Sequence, residues 1–286
     1  MTFRRDVKRR RDVKRKAQVV DTTLAWACVV ALLFGVLALE TKAQQPAATG
    51  GPQTQQRATE APRSARASAP KDFTGYWVSV VTEQWNLRML MPPKGVYTML
   101  PLNAEARAVA DAWTQERDAG NECRGYGAAT IMRVPGRLHI HWADDDTLQI
   151  DTDSGSQTRL LHLGATARPP ADAQPQWQGY SVAAWAGTAM GRGAKVPGPA
   201  DNLRVITTQM KAGYLRKNGV PYSEKATLEE YFDTFIEPDG NSWLVVSSIV
   251  TDMQYLTGPY AWTVHFKKVP DGQGWDPTPC RADQVR

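Results

Sequence analysis

Cysteine and histidine are both scarce in this chain of 286 residues, with three of the first and four of the second. So few cysteines rule out a disulfide-dense scaffold and a cysteine-rich zinc module. Two further signatures are missing. No glycine-rich loop has the spacing that cradles phosphate or a dinucleotide. The nearest approach to a serine nucleophile elbow, Gly179-Tyr180-Ser181-Val182-Ala183, departs from G-x-S-x-G in spacing and setting, which argues against a serine hydrolase. Positive charge is also short once its location is considered. Residues 1–43 hold ten Lys/Arg against four Asp/Glu, so +6 lies there in a chain of net +5, and the remainder carries about −1. A nucleic-acid partner therefore loses its electrostatic support.

The basic segment belongs to a three-part leader. Residues 4–9 and 10–15 repeat RRDVKR, residues 23–39 are apolar, and Thr41-Lys42-Ala43 places small residues where a signal peptidase reads. Residues 1–43 are thus read as a signal peptide cleaved after Ala43, which makes the protein periplasmic or secreted. The alternative is an uncleaved inner-membrane anchor through residues 23–39, the one circumstance in which a membrane becomes a partner. Beyond the leader two cysteines remain, Cys123 and Cys280, an even number suited to a disulfide in an oxidising compartment. Two free thiols are the other reading. Residues 44–71 are Ala, Gln, Pro, Thr, Ser and Arg with almost no larger apolar side chain, the composition of a disordered tether. Residues 72–286 then form one domain.

That domain reads as mainly β. Residues 73–82, 129–134, 137–142, 147–152, 157–164, 177–186, 203–210, 226–237, 242–251 and 261–269 have strand character, separated by Pro-Gly, Asp-rich and Asp-Gly-Asn turns. One helix is expected after an Asn103 N-cap, with Ala106, Val109, Ala110 and Trp113 on one face. Residues 83–100 are irregular, with Pro92, Pro93 and several Met and Leu, and read as a flap or cap. About nine strands with short turns predict an antiparallel, lipocalin-like β-barrel or strongly curved sheet with one packed helix.

Within residues 226–237 the inward alternate set is Ala226, Leu228, Glu230, Phe232, Thr234 and Ile236, so an acid points into the apolar side. A carboxylate there must be paired or shifted in pKa. It is either an anchor held by an arginine such as Arg159, or an acid–base group working with Tyr222 and Arg159. Arg216 and Lys217 lie in the polar, turn-rich stretch before it and are candidate ligand contacts. His139 and His141 share one face of a strand, the start of a candidate metal site, with His162 and His265 as further donors. The opposite face carries Leu138, Ile140 and Trp142, which turns both histidines towards solvent. Nine tryptophans follow the leader. Gly75-Tyr76-Trp77 resembles the G-x-W pattern that opens lipocalins, which implies that Trp77 closes one end of the barrel; Trp77 is also a candidate ligand contact, with Trp85, Trp177 and Trp185, which adjoin Pro/Gly loops and can line a mouth.

The stretches DFTGYW, YGAATIMRVPGRLHIHW, TLQIDTDSGSQTRLLHLG, WQGYSVAAW, GYLRKNGVPYS and LEEYF together resemble a family of exported bacterial proteins, frequent in acidobacteria and proteobacteria. The resemblance spans essentially residues 72–280. It implies a calycin-like barrel and no particular activity. Taken with the residues, the expectation is a protein without a cofactor that binds a small apolar or amphipathic molecule inside the barrel. The alternatives are an enzyme on the same barrel (a hydratase, isomerase or hydrolase of a secondary metabolite) and a module that binds carbohydrate or envelope.

Overall fold

The structure is a computed structural model and describes residues 63–164, 166–187 and 200–283. The leader and the larger part of the tether lie outside these residues. So does most of the Gly/Pro-rich loop at 187–200.

In chain order the elements are β1 (Gly75–Val80), α1 (Trp85–Arg88), α2 (Ala104–Asp111), α3 (Ala128–Ile131), β2 (Arg137–Trp142), β3 (Thr147–Thr152), β4 (Ser154–Gly155), β5 (Gln157–His162), β6 (Tyr180–Ala186), β7 (Asn202–Thr208), β8 (Gly213–Arg216), β9 (Val220–Tyr222), β10 (Thr227–Ile236), β11 (Ser242–Thr251), β12 (Tyr260–Val269) and β13 (Thr278–Pro279). Nine strands close into a barrel in the order β1-β12-β11-β10-β7-β6-β5-β3-β2, and β2 pairs back onto β1.

Alternation explains the wall. In β10, Leu228, Glu230 and Phe232 are buried while Glu229, Tyr231 and Asp233 are partly exposed, and in β11 Leu244, Val246, Ser248 and Val250 take the inward positions. Each inward Leu, Val or Phe contributes roughly 1.5–3 kcal/mol by leaving water. Register follows from the turns: Asp239-Gly240-Asn241 pairs Ile236 with Ser242 and runs the ladder to Thr227 and Thr251.

The ring is not wholly antiparallel. β5 and β6 pair in parallel, Leu161 with Ser181 and His162 with Val182. The cause is the connection at residues 163–179, too long for a hairpin, which brings the chain back to the end from which β5 began. The segment 129–134, expected as a strand, contains most of α3, whose residues are all buried, followed by a turn. The polar, turn-rich stretch before β10 is a buried hairpin, β8–β9, outside the ring. It turns at Gly219, whose φ of 85° and contact with the Trp113 ring leave no place for a Cβ.

The expected helix is α2. Asn103 Oδ1 accepts the Ala106 N–H at 2.9 Å, a cap worth about 1 kcal/mol. Ala106, Ala110 and Trp113 are buried, whereas Val109 faces solvent. Residues 63–71, expected within the tether, lie against the barrel: Ala65 N–H donates to Asp146 Oδ1 at 2.7 Å, and Lys71 pairs with Asp233 and with Asp201. Cys123 and Cys280 are joined in a disulfide. The bridged tail adds β13 in parallel to β4. Among the described residues no helix is long and apolar enough to cross a membrane.

Candidate functional site

The residues singled out in the sequence are dispersed over the fold. Inside the barrel, Glu230 accepts from Arg159 at 2.5 Å to one oxygen and 3.2 Å to the other. Arg159 Nη2 also lies 3.5 Å from Thr207 Oγ1, and Thr207 Oγ1 is 2.7 Å from Ser181 Oγ. Arg159, Glu230, Leu161, Leu203, Val205, Thr207, Leu228, Leu244, Val246, Ser248 and Val250 are all 0% exposed, so they border neither bulk solvent nor a water-sized void. The barrel is therefore packed at this level, with a polar pair as part of the packing.

Tyr222 is not with them. It lies on the outer hairpin against Gly127 and Gly213, where a Cβ would collide with its hydroxyl, and burial pushes its pKa up. The tryptophans are also dispersed. Trp77 is buried and donates to Phe73 O at 2.9 Å. Trp185 stacks on Phe73 at 5.8 Å, Trp177 lies under Lys211, and Trp85 on α1 is 60% exposed.

Arg216 and Lys217 belong to a different place, built where the hairpin meets the segment at residues 85–100. With Pro92 and Pro93 this segment joins no sheet, so its carbonyls need other partners. The hairpin supplies them. Asn218 Nδ2 donates to Pro93 O at 3.0 Å and Val96 O at 3.2 Å, and Arg216 Nη2 donates to Thr98 O at 2.8 Å. Tyr97 Oη donates to Asp111 Oδ1 of α2 at 2.7 Å. The segment is a clasped cap.

Beneath it lies a cavity of about 40 Å³ lined by Leu87, Leu90, Met91, Pro92, Val134 and Leu215 together with Arg88, Arg133, Arg216 and Lys217. Arg88, Arg133 and Arg216 are only 3%, 5% and 3% exposed. Arg133 is satisfied: it donates to Tyr260 Oη at 3.0 Å and Gln84 Oε1 at 2.8 Å, and lies over the Tyr260 and Trp262 rings. Gln84 adopts a left-handed φ of 48°, and its carbonyl accepts the Leu87 and Arg88 N–H groups that start α1. Arg88 donates to Arg133 O at 3.0 Å and pairs with Glu83, but its Nη2 has no partner among the described residues. Among the described residues Arg216 uses only Nη2, leaving Nε and Nη1 without partners.

Charge in this cavity is therefore out of balance. Burial lowers the pKa of Arg88, where Glu83 opposes the shift and Arg133 adds to it. Burial also lowers that of Arg133, with the charge of Arg216 adding to it. Guanidinium groups stay protonated regardless, so these are mutually repelling cations whose nearby countercharge is Glu83. Lys217 lies 3.6 Å from the centroid of the Tyr126 ring, and burial lowers its pKa to about 7. The unpartnered donors of Arg88 and Arg216 cost free energy that an anion would recover.

No family model, no curated protein and no solved structure matches this chain.

The cavity has room for a few heavy atoms, given that one water needs about 10–15 Å³ of such space. That suits a carboxylate, sulfonate or phosphate group. Above it the cap exposes Trp85, Met89, Leu90 and Met99. Thr130 Oγ1, also in the lining, is committed to Tyr214 O at 2.5 Å.

Of the histidines, His139 and His141 stand on the outer wall with Asp151, their donor atoms within 4.8 Å of one another. His162 lies elsewhere, stacked on Tyr180 at 4.5 Å, and His265 is 3.4 Å from Glu83. Arg88 and Arg133 were not among the sequence candidates. A detectable signal was an arginine set directly among Leu87, Met89, Leu90 and Met91.

Proposed function

We propose that this chain is an exported binding protein for a small amphipathic anion, which places its charged head beneath the cap and its apolar part along the cap's exposed Met, Leu and Trp side chains. The observation that carries the reading is the group of three almost fully buried arginines around one cavity, with Arg88 Nη2, Arg216 Nε and Arg216 Nη1 unpartnered among the described residues. In this reading the barrel, of lipocalin-like kind, is the scaffold that aims the hairpin and the cap, and the ligand sits beside it. Acid–base catalysis at Glu230 draws no support from its surroundings, because the carboxylate is fully buried and both oxygens are taken by Arg159. A sugar platform draws none from Trp85, Trp177 and Trp185, each of which has different neighbours.

Export is supported by the leader pattern and by the disulfide, a bond at home in an oxidising compartment. Native mass spectrometry of the protein purified from its own host tests both halves. The expected species begins at Gln44 and carries an added anionic mass that is lost in Arg88→Met/Arg216→Met. A ligand-free protein that no anionic amphiphile stabilises against heat would overturn the reading.

A further inference from the structure

The outer wall of the barrel carries a second group of donors that takes no part in the cavity. His139 and His141 are two apart on β2, so both rings project from the same face. On the neighbouring antiparallel strand β3, Asp151 stands directly opposite His139 in register. The three donor atoms lie within 4.8 Å of one another, and His141 Nδ1 is 3.8 Å from Asp151 Oδ2.

We propose that His139, His141 and Asp151 form a binding site for a divalent transition-metal cation of the zinc, nickel and copper class. Donors bonded tetrahedrally at about 2.0–2.1 Å stand about 3.3 Å apart, so closure needs shifts of roughly an ångström or less by partly exposed side chains. The surroundings pre-set the ligands. His139 is stacked on Tyr76 at 4.2 Å and flanked edge-on by Trp275 at 6.3 Å, which restrains its ring. Gln149 donates to both Asp151 oxygens at 2.9 and 3.0 Å, and Thr158 donates to one at 2.6 Å, which orients the carboxylate. Among the described residues His141 Nδ1 has no hydrogen-bond partner, although the atom is buried. Two imidazoles and one carboxylate suit borderline cations, whereas calcium and magnesium prefer all-oxygen sites. With three protein ligands, a fourth position stays open to water or to an external donor.

The test uses the full chain without a histidine tag, stripped with chelator. Calorimetric titration with Zn²⁺ should show one saturable site, weakened about tenfold or more in His141→Ala and in Asp151→Asn. With Cu²⁺, electron paramagnetic resonance should show two coordinated imidazole nitrogens in the parent and one in His141→Ala. Both variants alter partly exposed side chains, and circular dichroism checks their fold. Absence of saturable Zn²⁺ uptake in the parent overturns the proposal. So does uptake unchanged in His139→Ala/His141→Ala, which would place the metal elsewhere.

Discussion

Arg159 and Glu230 face each other from β5 and β10 across the barrel interior, 2.5 Å apart at their closest, with side chains 0% and 1% exposed. Water reaches neither, so each depends on the other for its charge to be tolerated. Replacing Glu230 by Gln leaves a buried guanidinium without its counterion and should cost about 3–5 kcal/mol in urea unfolding. Arg159→Met/Glu230→Leu removes both charges together and should recover most of that loss. A Glu230→Gln protein as stable as the parent would show that the pair is not an anchor.

The Cys123–Cys280 bridge spans 157 residues of sequence. On the chain-entropy account a loop of that length contributes roughly 5 kcal/mol, as an upper figure. The bridge also holds β13 on β4 and keeps Arg281 beside Tyr126, whose hydroxyl is hydrogen-bonded to the Arg281 backbone. Cys123→Ser/Cys280→Ser should unfold at lower denaturant, and proteolysis should clip the tail first.

Asn218 joins the cap to the hairpin through two carbonyls. In Asn218→Ala both lose their donor, at a cost of about 1–3 kcal/mol. Hydrogen exchange should quicken in residues 92–99 and stay slow in β10 and β11.

Lys217 supplies the pH dependence. Its pKa falls to about 7 in the folded protein from 10.5, chiefly because burial penalises the ammonium. Below pH 7 both folded and unfolded chains carry the charge, and the folded state bears the full burial penalty. Between about 7 and 10.5 the unfolded chain binds the extra proton, so this group makes stability rise with pH. Lys217→Met should therefore be more stable than the parent at pH 6, with the gap narrowing by pH 9. Thermal unfolding at the two pH values measures it, and a gap independent of pH would contradict the assignment.

The barrel wall was legible because its strands alternate. Residues 137–142, 147–152 and 242–251 are strands at the bounds read from their pattern, and Glu230 stands on the inward side of β10. Where alternation is absent, other forces decide. Ala129, Ile131 and Met132 read as a strand by composition, yet they follow Gly127 into a short helical turn buried under the hairpin. The parallel β5–β6 pair depends on how the connection at residues 163–179 folds back, which has no local signature. The cavity was half legible. Arg216 and Lys217 stood out as charges in a turn-rich stretch, but Arg88 and Arg133 come from distant irregular segments. Such arginines ordinarily read as surface residues, and their burial follows only from the cap being clasped over them.

The cavity beneath the cap is tested most directly by calorimetric titration of decanoate and of 1-decanol into the parent and into Arg216→Met at neutral pH. The two ligands share a tail and differ in the charge of the head. Decanoate should bind the parent, 1-decanol should bind about tenfold or more weakly, and Arg216→Met should lose the preference, as expected for roughly 1.5 kcal/mol or more from a charged hydrogen bond. Equal affinity for the two ligands in the parent, or a preference for decanoate that survives in Arg216→Met, would contradict an anion site built on these arginines.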